Sequence, residues 1–180
     1  SLLSVTSSTL CPAATTVSPA HLENMEGALE SGEQWPVRSR GMSIFDSSLF
    51  EPGPAGLVRI TSLNLRPDGR HAVGARFGFN TLTLLFAITP VEPSGLSPLF
   101  DENISNATTA PVAVFDDRWL VEVVNPDPPG DDTRPFDFKV PLSTPFVFSP
   151  ADGNLLVDWR FGSPIPNQAS FDRDETSVDQ

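Results

Sequence analysis

The sequence predicts an all-β fold: a jelly-roll-like β-sandwich of antiparallel strands, with long loops rich in Pro, Gly and Asp and with little helix. Three observations predict it. Apolar residues recur with a period of two in several segments from about residue 42 onward. Clusters of Pro, Gly, Asp and Asn stand between those segments and mark turns. Helix signals are scarce. The length of 180 residues, with 39% hydrophobic and 19% charged residues, fits one globular domain with a core of its own.

Along the chain, residues 1–17 read as an extended N-terminal segment and 18–180 as a single β-sandwich domain. Leu3, Val5 and Leu10 alternate weakly in a stretch rich in Ser, Thr, Ala and Pro. Ser18-Pro19 is a helix-start signal, with Ser as N-cap and Pro at the first helical position, and residues 18–29 read either as a short helix or as loop. Val58 and Ile60 share one strand phase while Leu63 and Leu65 fall on the other; a bulge near Thr61-Ser62 brings all four to one face. Leu82, Leu84, Phe86 and Ile88 alternate with Thr81, Thr83, Leu85 and Ala87, as in an inner strand. Pro90–Pro111 is a long connection. Trp119, Val121 and Val123 form the next apolar phase, then Phe136, Phe138 and Val140. Pro150-Ala151-Asp152-Gly153 is a tight turn before Leu155, Val157, Trp159 and Phe161.

Composition excludes several chemistries. The net charge of −12, from 23 acidic and 11 basic residues, argues against nucleic acid and anionic membranes as partners. Lys139 is the single lysine and follows Phe138 in a strand-like run, so no phosphate loop exists. His21, His71 and Cys11 cannot build a four-ligand structural zinc site. Cys11 alone forms no internal disulfide. Gly95-Leu96-Ser97-Pro98-Leu99 begins a nucleophile elbow and fails it. No stretch approaches the roughly 20 apolar residues of a membrane-spanning helix. Carboxylates are the catalytic resource that remains, and a glycosidase needs only two.

Four features carry candidate functions. Asp127, Asp131 and Asp132 crowd one turn and are candidate calcium ligands, although an ordinary acidic turn explains them more simply. Otherwise no cofactor is expected. Trp35, outside any strand pattern, is a candidate platform for a polysaccharide, whereas Trp119 and Trp159 fall on core phases. Asn103-Ile104-Ser105 and Asn106-Ala107-Thr108 are glycosylation sequons, at Asn103 and Asn106. The uncharged tail reads either as a free end or as a strand donated to the sheet edge of another copy.

The run Arg40–Phe50, the later Leu65-Arg66-Pro67-Asp68, and above all Phe-x-Phe-x-Pro-x-x-Gly-Asn-Leu-Leu-x-Asp at Phe146–Asp158 resemble a group of exported bacterial proteins of unknown function. Many of that group carry a C-terminal sorting segment of the PEP-CTERM type. The resemblance implies a β-sandwich and an extracellular or cell-surface location, and it carries over no catalytic residue. The chain stops at Gln180 without an apolar anchor or an Arg-rich end, from which a processed or truncated form is expected. The best motif is built from turn and core residues, which specify a fold rather than a reaction. The expected function is that of a secreted, non-enzymatic structural protein of the matrix or cell surface, self-assembling through its N-terminal strand. A carbohydrate-binding module is the alternative, and a carboxylate-based glycosidase ranks below it.

Overall fold

The computed structural model describes residues 3–7, 14–18, 40–65, 73–125, 135–136 and 138–165. Eight strands follow one another: β1 (Leu3–Ser7), β2 (Ala14–Ser18), β3 (Arg40–Phe45), β4 (Val58–Leu65), β5 (Arg76–Thr89), β6 (Val112–Glu122), β7 (Phe138–Phe148) and β8 (Asn154–Phe161). One short helix, α1 (Phe100–Ser105), interrupts the connection between β5 and β6. The strands form two four-stranded sheets, ordered β2-β1-β4-β7 and β3-β8-β5-β6, and their pairings are antiparallel. The expectation of an all-β chain with little helix holds.

The period-two segments supply the core. Leu82, Leu84, Phe86 and Ile88 of β5 are buried, as are Leu155, Val157, Trp159 and Phe161 of β8. Rings from the two sheets meet in the core: Phe77 of β5 and Phe138 of β7 are tilted with centroids 5.0 Å apart, and Phe86 and Phe146 meet edge to face at 5.4 Å. The Trp119 indole of β6 donates across to the Lys139 carbonyl of β7 at 3.0 Å. Each such side chain stabilises the fold by about 1.5–3 kcal/mol on full burial.

Local irregularities follow from sequence. The bulge expected near Thr61-Ser62 is present as a register shift against β7 between Ile60 and Ser62. It places Val58, Ile60 and Leu63 in the core, with Leu65 packed against it. Pro141 and Pro145 lie in β7, the edge strand of its sheet, where a missing N–H donor is tolerated. At Gly78 of β5, a Cβ would run into the Trp119 carbonyl and come within 2.9 Å of the Leu120 Cα. Only glycine lets β6 approach so closely.

The N-terminal segment joins the first sheet: β1 pairs with β2 on one side and β4 on the other. Ser18 closes β2, and beyond it the helix or loop expected over 18–29 lies outside the described residues. The physical reason for the pairing lies in composition. Val5, Thr6, Thr15, Thr16 and Val17 are β-branched and suit a pleated surface, and β4 would otherwise present an unpaired edge.

Candidate functional site

Two places in the molecule gather features of interest. The first is the outer face of the second sheet, at β3 and β8. Alternation along β8 sends Leu155, Val157, Trp159 and Phe161 inward and Asn154, Leu156, Asp158 and Arg160 outward. Asp158 nevertheless has only 1% of its surface exposed, because two arginines cover it. Arg40 Nε and Nη2 donate to its two carboxylate oxygens, each at 2.8 Å. Arg160 Nε and Nη2 donate to Oδ2 at 3.1 and 2.8 Å. Three of these four charged donors converge on Oδ2 and one on Oδ1, so the carboxylate is engaged in holding β3 against β8. The hydrogen bond to Asp158 raises the Arg40 pKa above its already high ordinary value, against the opposing effect of burial. The Arg40 guanidinium also stacks 4.7 Å from the Phe100 ring centroid of α1.

Beside Arg40 is an open hollow of about 280 Å³ lined by Arg40, Leu99, Phe100, Asp101 and Glu102. Its polar groups are largely occupied. Glu102 accepts from Ser97 Oγ at 2.6 Å. The Asp101 side chain is solvent-exposed and lies 3.8 Å from Arg40 Nη1. Sequence reasoning passed over Arg40 and Phe100. The available signal was the outward phase of β8, where Leu156 interrupts an otherwise polar run of Asn154, Asp158 and Arg160.

Asn154 is a second cross-link in this region. Its Oδ1 accepts from the Ser47 N–H at 2.8 Å and its Nδ2 donates to the Val91 carbonyl at 2.9 Å. Gly153 before it has φ +135°, and a Cβ there would lie 2.7 Å from the Thr89 carbonyl. Gly153, Asn154 and Asp158 thus tie β8 to β3 and to the end of β5, in keeping with the reading of Phe146–Asp158 as a fold signature.

The sequon residues separate. Asn103 is 3% exposed, its Oδ1 accepting from the Ser97 N–H at 2.9 Å and its Nδ2 donating to the Ser97 carbonyl at 2.8 Å. A glycan on that nitrogen would have to displace this packing. Asn106, at the C-terminus of α1, is exposed. Trp119 and Trp159 are buried at 4% and 8% exposure and serve no platform. Trp35, Asp127, Asp131 and Asp132 lie outside the described residues, as do His21, His71 and Cys11. Among the described residues no group of three or more His, Cys, Asp or Glu side chains could hold a metal ion, and no helix is long and apolar enough to cross a membrane.

The second place is the seam between β1 and β4. Leu3 faces Leu65, Ser4 faces Asn64, Val5 faces Leu63 and Thr6 faces Ser62, with a shift before Ser7 and Ile60. On its other side β1 pairs Val5 with Thr16 of β2. Among the described residues this seam is the one strand pairing that joins the β1–β2 hairpin to the rest of the sheet. The hairpin and β3 are separated in sequence by residues 19–39.

No family model matches the chain, and neither a curated protein nor a solved structure matches it.

Proposed function

We propose that the chain is a secreted, non-enzymatic structural protein of the extracellular matrix or cell surface, built as a jelly-roll-like β-sandwich. It assembles by lending its N-terminal hairpin to the β4 edge of the next copy. The sandwich reading is supported by two four-stranded sheets sharing one aromatic core and by a chain that passes repeatedly from one sheet to the other. The resemblance at Phe146–Asp158 supports export.

One observation carries the assembly: an inner position of the first sheet, between β2 and β4, is filled from the far N-terminus. A 21-residue connection, residues 19–39, can span up to roughly 70 Å when extended, enough to deliver the hairpin to a neighbour. The same β1–β4 register then forms between chains, at no cost in pairing. Repeated head to tail, such an exchange does not close and yields a filament.

The direct experiment is light scattering and negative-stain microscopy of the full chain beside Val5→Pro. Val5 sits opposite Leu63 on one side and Thr16 on the other, so proline removes a ladder bond whichever way its N–H points. The parent chain is expected to form elongated assemblies and Val5→Pro to lose them. A parent that stays monomeric across concentration overturns the reading.

A further inference from the structure

We infer that the outer edge of β2 is a self-association surface whose partner is β2 of a second copy, paired antiparallel about a two-fold axis at Thr16. The inference rests on the proposed assembly for its strength, because a five-residue strand pair is marginal alone. Two arrays presenting many such edges at once gain from effective concentration.

The argument begins with a comparison of edges. Among the described residues, two sheets of four strands have β2, β7, β3 and β6 at their margins. Natural edges are kept from pairing by charge, proline or bulges. β6 carries Asp116, Asp117, Arg118 and Glu122; β7 carries Lys139, Pro141 and Pro145; β3 opens with Arg40. β2 reads Ala14-Thr15-Thr16-Val17-Ser18, with neither a charge nor a proline. Alone of the four, it lacks a guard within its strand.

The occupant follows from charge and from sequence symmetry. Residues 1–20 contain no charged side chain, in a chain of net charge −12. Two such chains repel over most of their surfaces and meet at least cost along this neutral edge. Placed antiparallel to itself, the strand sets Thr16 opposite Thr16, Thr15 opposite Val17 and Ala14 opposite Ser18. Those are uncharged pairs, β-branched at the centre, of the kind that stabilise cross-strand neighbours. Pro12 and Pro19 bracket the strand, cannot donate to a ladder, and hold the pairing to this one register. The contact is isologous, so it joins assemblies side by side and extends the first sheet across the axis.

The test uses the full chain. In a Cys11→Ser background, Thr16→Cys should oxidise to an intermolecular disulfide, since residues directly opposite in an antiparallel pair lie within disulfide reach. Asp116→Cys on the guarded β6 edge should give at least about tenfold less. Thr16→Lys or Thr16→Glu sets like charges opposite each other and should abolish side-by-side pairing in micrographs, while an equal mixture of the two restores it. Equal cross-linking at positions 16 and 116, or no recovery in the mixture, overturns the inference. Elongated assemblies that persist in Thr16→Lys without lying side by side would separate this contact from hairpin exchange.

Discussion

Replacing Asp158 by Ala leaves two guanidinium groups around an empty centre. The Arg40 and Arg160 side chains are 26% and 49% exposed, so both can partly rehydrate. The cost therefore falls below that of a fully buried pair, at about 2–3 kcal/mol. Thermal unfolding should show Asp158→Ala melting about 5–10 °C lower. Arg160→Ala, a half-exposed partner, should cost less than about 1 kcal/mol. A second residue-scale prediction concerns Asp46, whose Oδ1 accepts from the Ser48 N–H at 2.8 Å. The hydrogen bonds from Ser48 hold its pKa below the usual carboxylate range. A depressed folded-state pKa contributes stability above the unfolded value and loses it as pH falls through the folded value. Urea unfolding should thus separate the parent from Asp46→Ala at about neutral pH, and the gap should close in acid below the usual carboxylate range. At this scale the sequence was legible as chemistry type only. Asn154 and Asp158 belong to a motif readable as structural, but their partners Ser47, Val91 and Arg40 are distant in the chain and no local spacing points to them.

Among the elements, β8 was legible, and so was the second half of β5 from Thr81 to Ile88, because a strand with one wholly apolar phase leaves no other face for the core. The bulge in β4 was legible for a related reason, since its apolar phase changes within one strand. β7 was seen only from Phe138 to Val140, in a strand read as starting at Phe136; Pro141 and Pro145 hide the rest, as proline reads as punctuation unless the strand is known to be an edge. β3 was missed because Arg40, Gly41, Met42 and Ser43 show little apolar alternation. α1 was missed because six residues inside a proline-rich connection carry too little helical pattern. The close contact of β5 and β6 allows an element-scale prediction. Gly78→Ala forces a Cβ into the β6 backbone and should destabilise by about 1–3 kcal/mol. Gly41→Ala in β3, whose Cβ would meet nothing within 4 Å, should stay within about 0.5 kcal/mol. Paired urea titrations of the two variants check this.

At the scale of the whole molecule, charge and assembly have to be taken together. The net charge of −12 keeps copies apart, while the uncharged first 20 residues supply the strands that pair within the first sheet. That this tail could act as a strand was legible in its β-branched residues. That it fills the position between β2 and β4 was not, because strand order across distant segments leaves no local trace. The most direct measurement of the central claim is a cysteine pair across the β1–β4 seam. Val5 and Leu63 stand opposite each other, and Cys11→Ser removes the native thiol. Oxidised under assembling conditions, Val5→Cys/Leu63→Cys in that background should give a covalent ladder of multimers on a non-reducing gel. A product that is only cross-linked within single chains, at every concentration, would contradict exchange of the hairpin between copies.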